Sequence, residues 1–421
     1  MVKRRSLRRM GLLAVSVFAA AIWSVNAQAA CTIKVGFIST FEGAFAVLGP
    51  ESFRGAELAV TEFGGKAGGC DIELIKGSSD ARPDVAIAAA RKLVENDNVD
   101  ILVGPLSGSE GLAMKEYAKT QPNKTFVNGI SAAQDTTLRE PADNFFRFSG
   151  DGAQWQAGLG NYAYDVKGFR RVVTLGEDYS YPYTQVFGFM HEFCGKGGKV
   201  VKKFWTPIGA KDYSSVIAAI PDDIDAVYVA LCGADPVNFL TQYVEFGGDK
   251  PLIGGSCTVG PDVLQVKGRF EDAVVGTVFA GPVPEGSNLP SWVAFDEQYK
   301  AAYAADQRWP GANMFLKAHY VNMKAVLLAL DEVNGDLSNG QAALKNALSN
   351  MAFDTPTGPV SLDENRQAIL SNYVSEIVRL DGGGIGPKVL LSIADVTQTL
   401  GMDRAEFMKF GPVSRENPSC P

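Results

Sequence analysis

Two histidines and six cysteines have the widest chemical repertoire in this chain, and their spacing argues against catalysis or metal binding. His191 and His319 fall far apart, both on helix-patterned stretches. No Cys-x-x-Cys or His-x-x-x-His spacing occurs, so no metal site is expected. The Gly195-Lys196-Gly197-Gly198 run follows a helical stretch instead of opening one, which fits neither a phosphate loop nor a dinucleotide fingerprint. No Gly-x-Ser-x-Gly elbow is present. Without a nucleophile–base pair or a cofactor loop, the expectation is a protein that is not an enzyme and needs no cofactor.

The spacing does offer an anion-holding turn. Gly104-Pro105-Leu106-Ser107-Gly108-Ser109 leaves a strand-like run and enters a helical one. Such a turn presents unpaired backbone N–H groups and the positive end of a helix dipole, which suits a carboxylate. Ser107 and Gly108 are therefore candidate ligand contacts; Ser107 or Ser109 as a plain helix cap is the alternative. Arg82 follows the second strand-like run and is placed to counter a carboxylate or a ring hydroxyl, with a solvated surface arginine as the alternative. The turns are also rich in rings: Phe41, Phe45, Trp155, Tyr179 and Tyr181. Together they would stack on an aromatic acid, although core packing is the common fate of any single ring.

The elements that position these residues alternate between strand-like and helix-like segments. Thr32–Ile38, Asp71–Ile75, Asp100–Val103 and Thr125–Asn128 read as strands, separated by helical stretches Ser52–Phe63, Pro83–Glu95 and Ser109–Thr120. After Phe145–Ser149 the pattern restarts. Arg171–Leu175, Lys199–Phe204, Ala226–Leu231 and Pro251–Ile253 are strand-like, with helices over Tyr183–Cys194, Tyr213–Ile220 and Pro236–Phe246 between them. Strictly alternating strands and helices specify an α/β protein with doubly wound parallel sheets, here as two units in series. Breaks at Gly276–Pro284 and Thr355–Pro359 flank the long apolar helix Met314–Val333 and are where the chain returns between units.

The N-terminus sets the compartment. Lys3, Arg4, Arg5, Arg8 and Arg9 precede an apolar run, Gly11–Trp23, and Ala27-Gln28-Ala29 is a small-x-small cleavage pattern. Residues 1–29 are thus expected to be an export signal. The whole chain holds 39 Lys+Arg against 47 Asp+Glu, and five of the basic residues lie in that signal. The processed protein is more acidic still, which argues against a nucleic-acid partner. Cys31 stands just past the cleavage pattern, but Gln28 occupies the place where a lipidation signal wants Leu, so ordinary export to the periplasm is expected.

Several motifs appear in a fixed order. Val35-Gly36-Phe37-Ile38 leads to Phe53-Arg54-Gly55-Ala56-Glu57-Leu58-Ala59, and Ala89-Ala90-Arg91-Lys92-Leu93-Val94 leads to Val103-Gly104-Pro105 and Ser107-Gly108. Ser131-Ala132-Ala133, Asp178-Tyr179-Ser180-Tyr181, Asp212-Tyr213-Ser214 and Glu245-Phe246-Gly247-Gly248 follow. This ordered set resembles the leucine/isoleucine/valine-type, type I periplasmic solute-binding proteins of the branched-chain amino acid ABC transporters, from about Ile33 to about Leu380. The resemblance implies two lobes joined by three hinge crossings, an interlobe cleft at the carboxyl ends of the strands, a small-molecule ligand, and an inner-membrane ABC permease as partner. A monomer is expected. The lobes are expected over 30–149 plus 281–355 and over 150–280 plus 356–421.

The resemblance also assigns roles. Ile130 and Ser131 inherit main-chain contacts to a ligand carboxylate, with Ser131 as a helix cap the alternative. Tyr181 stands where the family has an aromatic reaching in from the second lobe, although Pro182 replaces the usual following glycine. Ala234 and Asp235 fall at a ligand-contact position; Asp235 also suits a helix cap before Pro236. Cys257 stands about where the amino-acid binders carry a Glu for the ligand ammonium. No carboxylate lies between Lys250 and Asp262. A buried ammonium would go unpaired there, which favours a carboxylate lacking an amino group, with an aromatic acid preferred. A branched-chain or other amino acid or amide remains the alternative ligand, and a sensory receptor or an enzyme on the same fold the alternative class.

An even cysteine count in an exported chain points to disulfides. Cys31 and Cys70 directly precede the first two strands, which a doubly wound sheet sets side by side, so they are expected to pair. Cys232 and Cys257 follow neighbouring second-lobe strands and are assigned to each other at the cleft rim. Elimination leaves Cys194 with Cys420.

Overall fold

The computed structural model describes Met1, residues 31–266 and residues 270–420. Apart from Met1, the export signal expected over 1–29 lies outside the described residues.

The first lobe begins with β1 (Thr32–Thr40), α1 (Gly49–Glu62), β2 (Lys66–Ala67), β3 (Cys70–Ser79), α2 (Pro83–Arg91), β4 (Ile101–Val103), α3 (Gly108–Lys119), β5 (Thr125–Val127) and β6 (Phe145–Phe146). Its sheet runs in the order β2-β3-β1-β4-β5-β6 and is parallel except for β2. The chain then forms α4 (Leu159–Asp165), β7 (Arg171–Glu177), α5 (Ser180–Gly195), β8 (Lys199–Thr206), α6 (Ser214–Ala218), β9 (Ala226–Ala230) and α7 (Asp235–Glu245). Next come β10 (Leu252–Gly254), α8 (Pro261–Leu264), α9 (Glu271–Val274) and β11 (Val278–Gly281). Helices α10 (Pro290–Ala302), α11 (Met314–Glu332) and α12 (Ser338–Ser349) follow, then β12 (Ala352–Thr355), β13 (Gly358–Leu362), β14 (Ala368–Arg379), β15 (Ile385–Val396) and α13 (Arg404–Met408). The second sheet has the order β12-β13-β14-β11-β10-β9-β7-β8, with β15 added on β14.

The sequence explains this layering. Strands β4, β5, β9 and β10 are buried along their whole length, as strands covered by helices on both faces must be. That is why Ala226–Ala230 is an unbroken apolar run. Helix α11 returns to the first lobe, where Leu316, Val321 and Leu327 join one core with Val35 and Phe37 of β1.

Several elements differ from the sequence expectation. In the Phe145–Ser149 stretch, where the pattern restarts, only β6 is strand, and Arg147 N–H and C=O bond Arg366 O and Ala368 N in another crossing segment. Residues 352–396 build four strands that pair antiparallel, including β14 on β11, so the second sheet is mixed where a purely parallel one was expected. Turns of a few residues join β12 to β13, β13 to β14 and β14 to β15, leaving no helical interval among these four, so they pair antiparallel.

Cys31 and Cys70 are disulfide-bonded at the starts of β1 and β3, whose register sets Thr32 against Asp71. Cys194 is bonded to Cys420, and Cys232 to Cys257. No helix among the described residues is long and apolar enough to cross a membrane.

Helices α1 and α11 touch at Gly55. A Cβ there would lie 2.2 Å from the Leu316 carbonyl oxygen, a backbone atom that moves only with its helix. Gly55→Ala is therefore expected to force the pair apart and to destabilise the protein by about 1–3 kcal/mol, the usual cost of overpacking. Thermal unfolding followed by circular dichroism checks this.

Candidate ligand-binding site

The carboxyl ends of the parallel strands in both lobes face one another across a small cavity. Leu106 follows β4, and Ile130 and Ala132 follow β5. From the second lobe come Tyr181 after β7, Cys232 after β9 and Cys257 after β10. Trp155 enters from the first crossing, and Met314 and Phe315 open α11. The free space between these walls is about 20 Å³, on the order of one water, so a solute needs the lobes set further apart to enter. A larger open hollow of about 440 Å³ beside Trp292 and Glu285 borders the β14–β15 turn, away from the strand ends where ligands of such sheets bind.

The lobes are closed on each other. The hydroxyls of Ser109 and Ser180 lie 3.1 Å apart, Gln134 N–H donates to Thr184 Oγ1 at 3.4 Å, and Phe45 meets Tyr179 with ring centroids 5.9 Å apart. Tyr179 continues to Tyr181 at 6.0 Å, and Tyr181 to Trp155 at 6.3 Å. Gly108 sits at a close contact across the seam, where a Cβ would come within 2.7 Å of Ser180 Oγ.

Of the residues singled out from sequence, Ile130, Trp155, Tyr181 and Cys257 line the cavity. Phe45, Gly108 and Tyr179 lie at the closed seam beside it. Ser107 is engaged elsewhere. It caps α3 in a reciprocal box with Glu110, its N–H donates to Glu110 Oε2, and its hydroxyl donates to Ala81 O. Ser131 lies behind the wall and donates to Asn128 Oδ1. Asp235 opens α7 next to Ala234 and accepts Gly209 N–H through Oδ2, while its buried Oδ1 has no partner among the described residues. Phe41 packs under Lys76, whose ammonium is 4.8 Å from its ring centre. Arg82 is exposed and pairs with Asp80 and Asp84, so the structure does not bring it to the cavity.

Leu106, Ala132, Cys232 as a wall residue, Met314 and Phe315 were not singled out from sequence. Leu106 and Ala132 adjoin residues that were. Met314 and Phe315 become readable only once α11 is placed in the first lobe. Glu177, at the end of β7, was also missed. Its Oε1 accepts Cys232 N–H at 2.8 Å, and its Oε2 is buried without a partner among the described residues.

Residues 32–384 match the family of periplasmic binding proteins. The chain belongs to that family. It is 30% identical over 382 residues to the Leu/Ile/Val-binding protein homolog 7 of Brucella suis, covering 85% of this chain and 91% of that one. An ABC transporter solute-binding protein of R. palustris, solved with benzoate, superposes with a TM-score of 0.77 at 25% identity, over 86% of this chain and 98% of that one. A second, from Rhodopseudomonas palustris BisB5 with 3,4-dihydroxybenzoic acid, gives 0.78 at 25% identity, over 87% and 98%. This periplasmic binding protein is therefore an ABC-transporter solute-binding protein and not an enzyme; its family implies a periplasmic location and a permease partner.

Burial governs the charges of the binding protein near its cleft. Desolvation holds the Tyr179 and Tyr181 hydroxyls neutral, far above the usual phenol range. Tyr181 donates to Cys257 Sγ at 3.3 Å. Glu177 is pushed well up by desolvation, which outweighs its bond from Cys232 N–H.

Desolvation likewise raises Glu110 from 4.5 to about 7. Between those values the folded chain holds a proton that the unfolded chain has lost. The contribution of Glu110 to stability is thus present below pH 4.5 and falls as pH rises to about 7. Glu110→Gln keeps the capping geometry and removes the titration. The melting temperature of the variant relative to wild type, measured by calorimetry, is expected to rise between pH 4.5 and pH 8.

Proposed function

We propose that this solute-binding protein captures a small aromatic carboxylate of the benzoate type by closing its two lobes around it. One observation carries the reading: the cavity between the lobes is walled by Trp155, Tyr181, Phe315 and the Cys232–Cys257 disulfide, and no carboxylate is among its lining residues. Flat aromatic walls suit a flat ring. An α-amino acid would bring an ammonium that this lining cannot pair, and an unpaired buried charge costs several kcal/mol. The benzoate and dihydroxybenzoate held by the two R. palustris proteins support the same choice. The names of the Brucella relatives favour a branched-chain amino acid, so the test must separate the two.

The solute enters between separated lobes, and the hinge segments let the second lobe close on it. Closure removes the ring from water and brings the chain of contacts from Phe45 through Tyr179 and Tyr181 to Trp155 around it. Release to an inner-membrane permease would reverse this motion.

A thermal-shift screen of the processed protein, followed by calorimetric titration, tests the ligand class. Benzoate, 4-hydroxybenzoate and cinnamate are expected to raise the melting temperature, because a ligand at a hundred times its Kd adds about 2.7 kcal/mol. Leucine, isoleucine and valine are expected to leave it unchanged. A rise with leucine and none with the aromatic acids would overturn the reading. Trp155→Ala is expected to weaken benzoate binding by on the order of tenfold or more, as loss of a central aromatic anchor does.

A further inference from the structure

Arg147 is fully buried just past β6, where the chain leaves the first lobe. Its guanidinium donates to the carbonyl oxygens of Ala133 at 2.7 Å, Ser131 at 3.3 Å and Gln134 at 3.4 Å. It also donates to Thr137 Oγ1 at 2.6 Å and to Gln367 Oε1, with Asp151 Oδ2 3.8 Å away. Three of these acceptors are main-chain atoms of the turn whose Ala132 lines the ligand cavity.

A peptide unit is planar and trans, so its N–H points opposite to its C=O. Fixing Ala133 C=O on Arg147 turns Gln134 N–H the other way, and that N–H reaches Thr184 Oγ1 of the second lobe. Ser131 C=O accepts from the same guanidinium nitrogen and, at 3.1 Å, from Asn128 Nδ2, and together these turn Ala132 N–H to that same side. Ala132 is 1% exposed, and among the described residues its N–H has no acceptor. Buried N–H groups without partners are rare in folded proteins. Its carbonyl is held as well, by Gly152 N–H of the first crossing.

We propose that Arg147 is a positioning residue for ligand recognition: it orients and polarises the 131–134 turn so that Ala132 N–H faces the anionic group of the bound solute. This rests on the carboxylate reading above and adds to it the residue that prepares the donor. A cation hydrogen-bonded to one end of a peptide strengthens the donor at the other end. The guanidinium never touches the solute, so the solute carboxylate is met by a neutral N–H and the cavity gains no free charge.

The test uses the processed protein, with benzoate as the probe and benzamide as its uncharged analogue. Calorimetry compares wild type with Arg147→Lys and Arg147→Met. In parallel, alanine amides labelled with 15N are followed by NMR in the wild type. Benzoate is expected to shift the Ala132 amide proton downfield. Arg147→Met is expected to weaken benzoate binding by on the order of tenfold, equal to about 1.4 kcal/mol, with benzamide affected much less and Arg147→Lys recovering part of the loss. A merely structural role would lower both ligands alike. Benzoate heat with an unmoved Ala132 amide overturns this inference alone. So does an Arg147→Met protein that keeps the wild-type benzoate-to-benzamide ratio. Should that variant not fold, the wild-type amide shift decides. Neither heat nor any alanine shift with benzoate overturns the carboxylate reading and this inference with it.

Discussion

A guanidinium shut away from water must be answered by oxygen atoms, and the segments that answer Arg147 are those that join the lobes. Removing such a charge from solvent costs several kcal/mol unless every donor finds an acceptor. Burial pulls its pKa down to about 10, so it stays charged at neutral pH. Its acceptors come from the turn after β5, while Gln367 brings in the β13–β14 segment and Asp151 the first crossing. Gln398 extends the node, donating to Gln134 O, Thr137 Oγ1 and Asp151 Oδ2. Two crossings and the floor of the site are thereby fixed to one another. A rotation of the second lobe that preserves these bonds must take up its dihedral changes beyond Gln154 and beyond Ala368.

Under the proposed reading, the same node lets a cavity with so few polar walls serve a charged solute. An ionised carboxylate leaves water only where donors replace its hydration, and charge-assisted bonds from N–H groups are strong enough to do so. Side chains with free charge would attract many anions in solution but would pay a large desolvation cost on closure. Main-chain N–H groups aimed by buried partners avoid that cost. The second lobe then contributes shape. Gln185 holds the Ser256 N–H and receives Gln156, and Tyr228 donates to Gln156, so the loop carrying Cys257 is set by a buried amide network.

Alternation of strands and helices made the two lobes and the facing strand ends readable from sequence, because a parallel strand buried on both faces cannot be built from any other pattern. The position of Tyr181 and Cys257 after their strands follows from the same logic. What stayed hidden depends on contacts distant along the chain. Phe145-Phe146-Arg147 reads as ordinary strand, and only Gln367, more than two hundred residues on, shows why Arg147 turns inward. Ser107 was legible both as a donor and as a cap; the choice fell to Glu110, whose carboxylate takes the Ser107 N–H. Arg82 failed for a local reason, since Asp80 and Asp84 on either side hold it in solvent. The antiparallel β12–β15 segment carries no helical interval and too many turn residues for a reading based on alternation to resolve.

The disulfide wall bears on selectivity through what it withholds. One methylene more or less in an apolar pocket changes affinity by only about 0.8 kcal/mol, so fit alone separates a benzoate from a leucine-sized side chain poorly. An unpaired ammonium, at several kcal/mol, separates them well. Cys232 and Cys257 close the second-lobe end with sulfur, which accepts a hydrogen bond from Tyr181 but holds no charge. Behind that wall Glu177 gives one oxygen to Cys232 N–H, and burial pushes its carboxyl towards the protonated form. Under the proposed reading, the preference for an acid without an amino group rests on the missing counter-charge in this lining and not on the outline of the cavity alone.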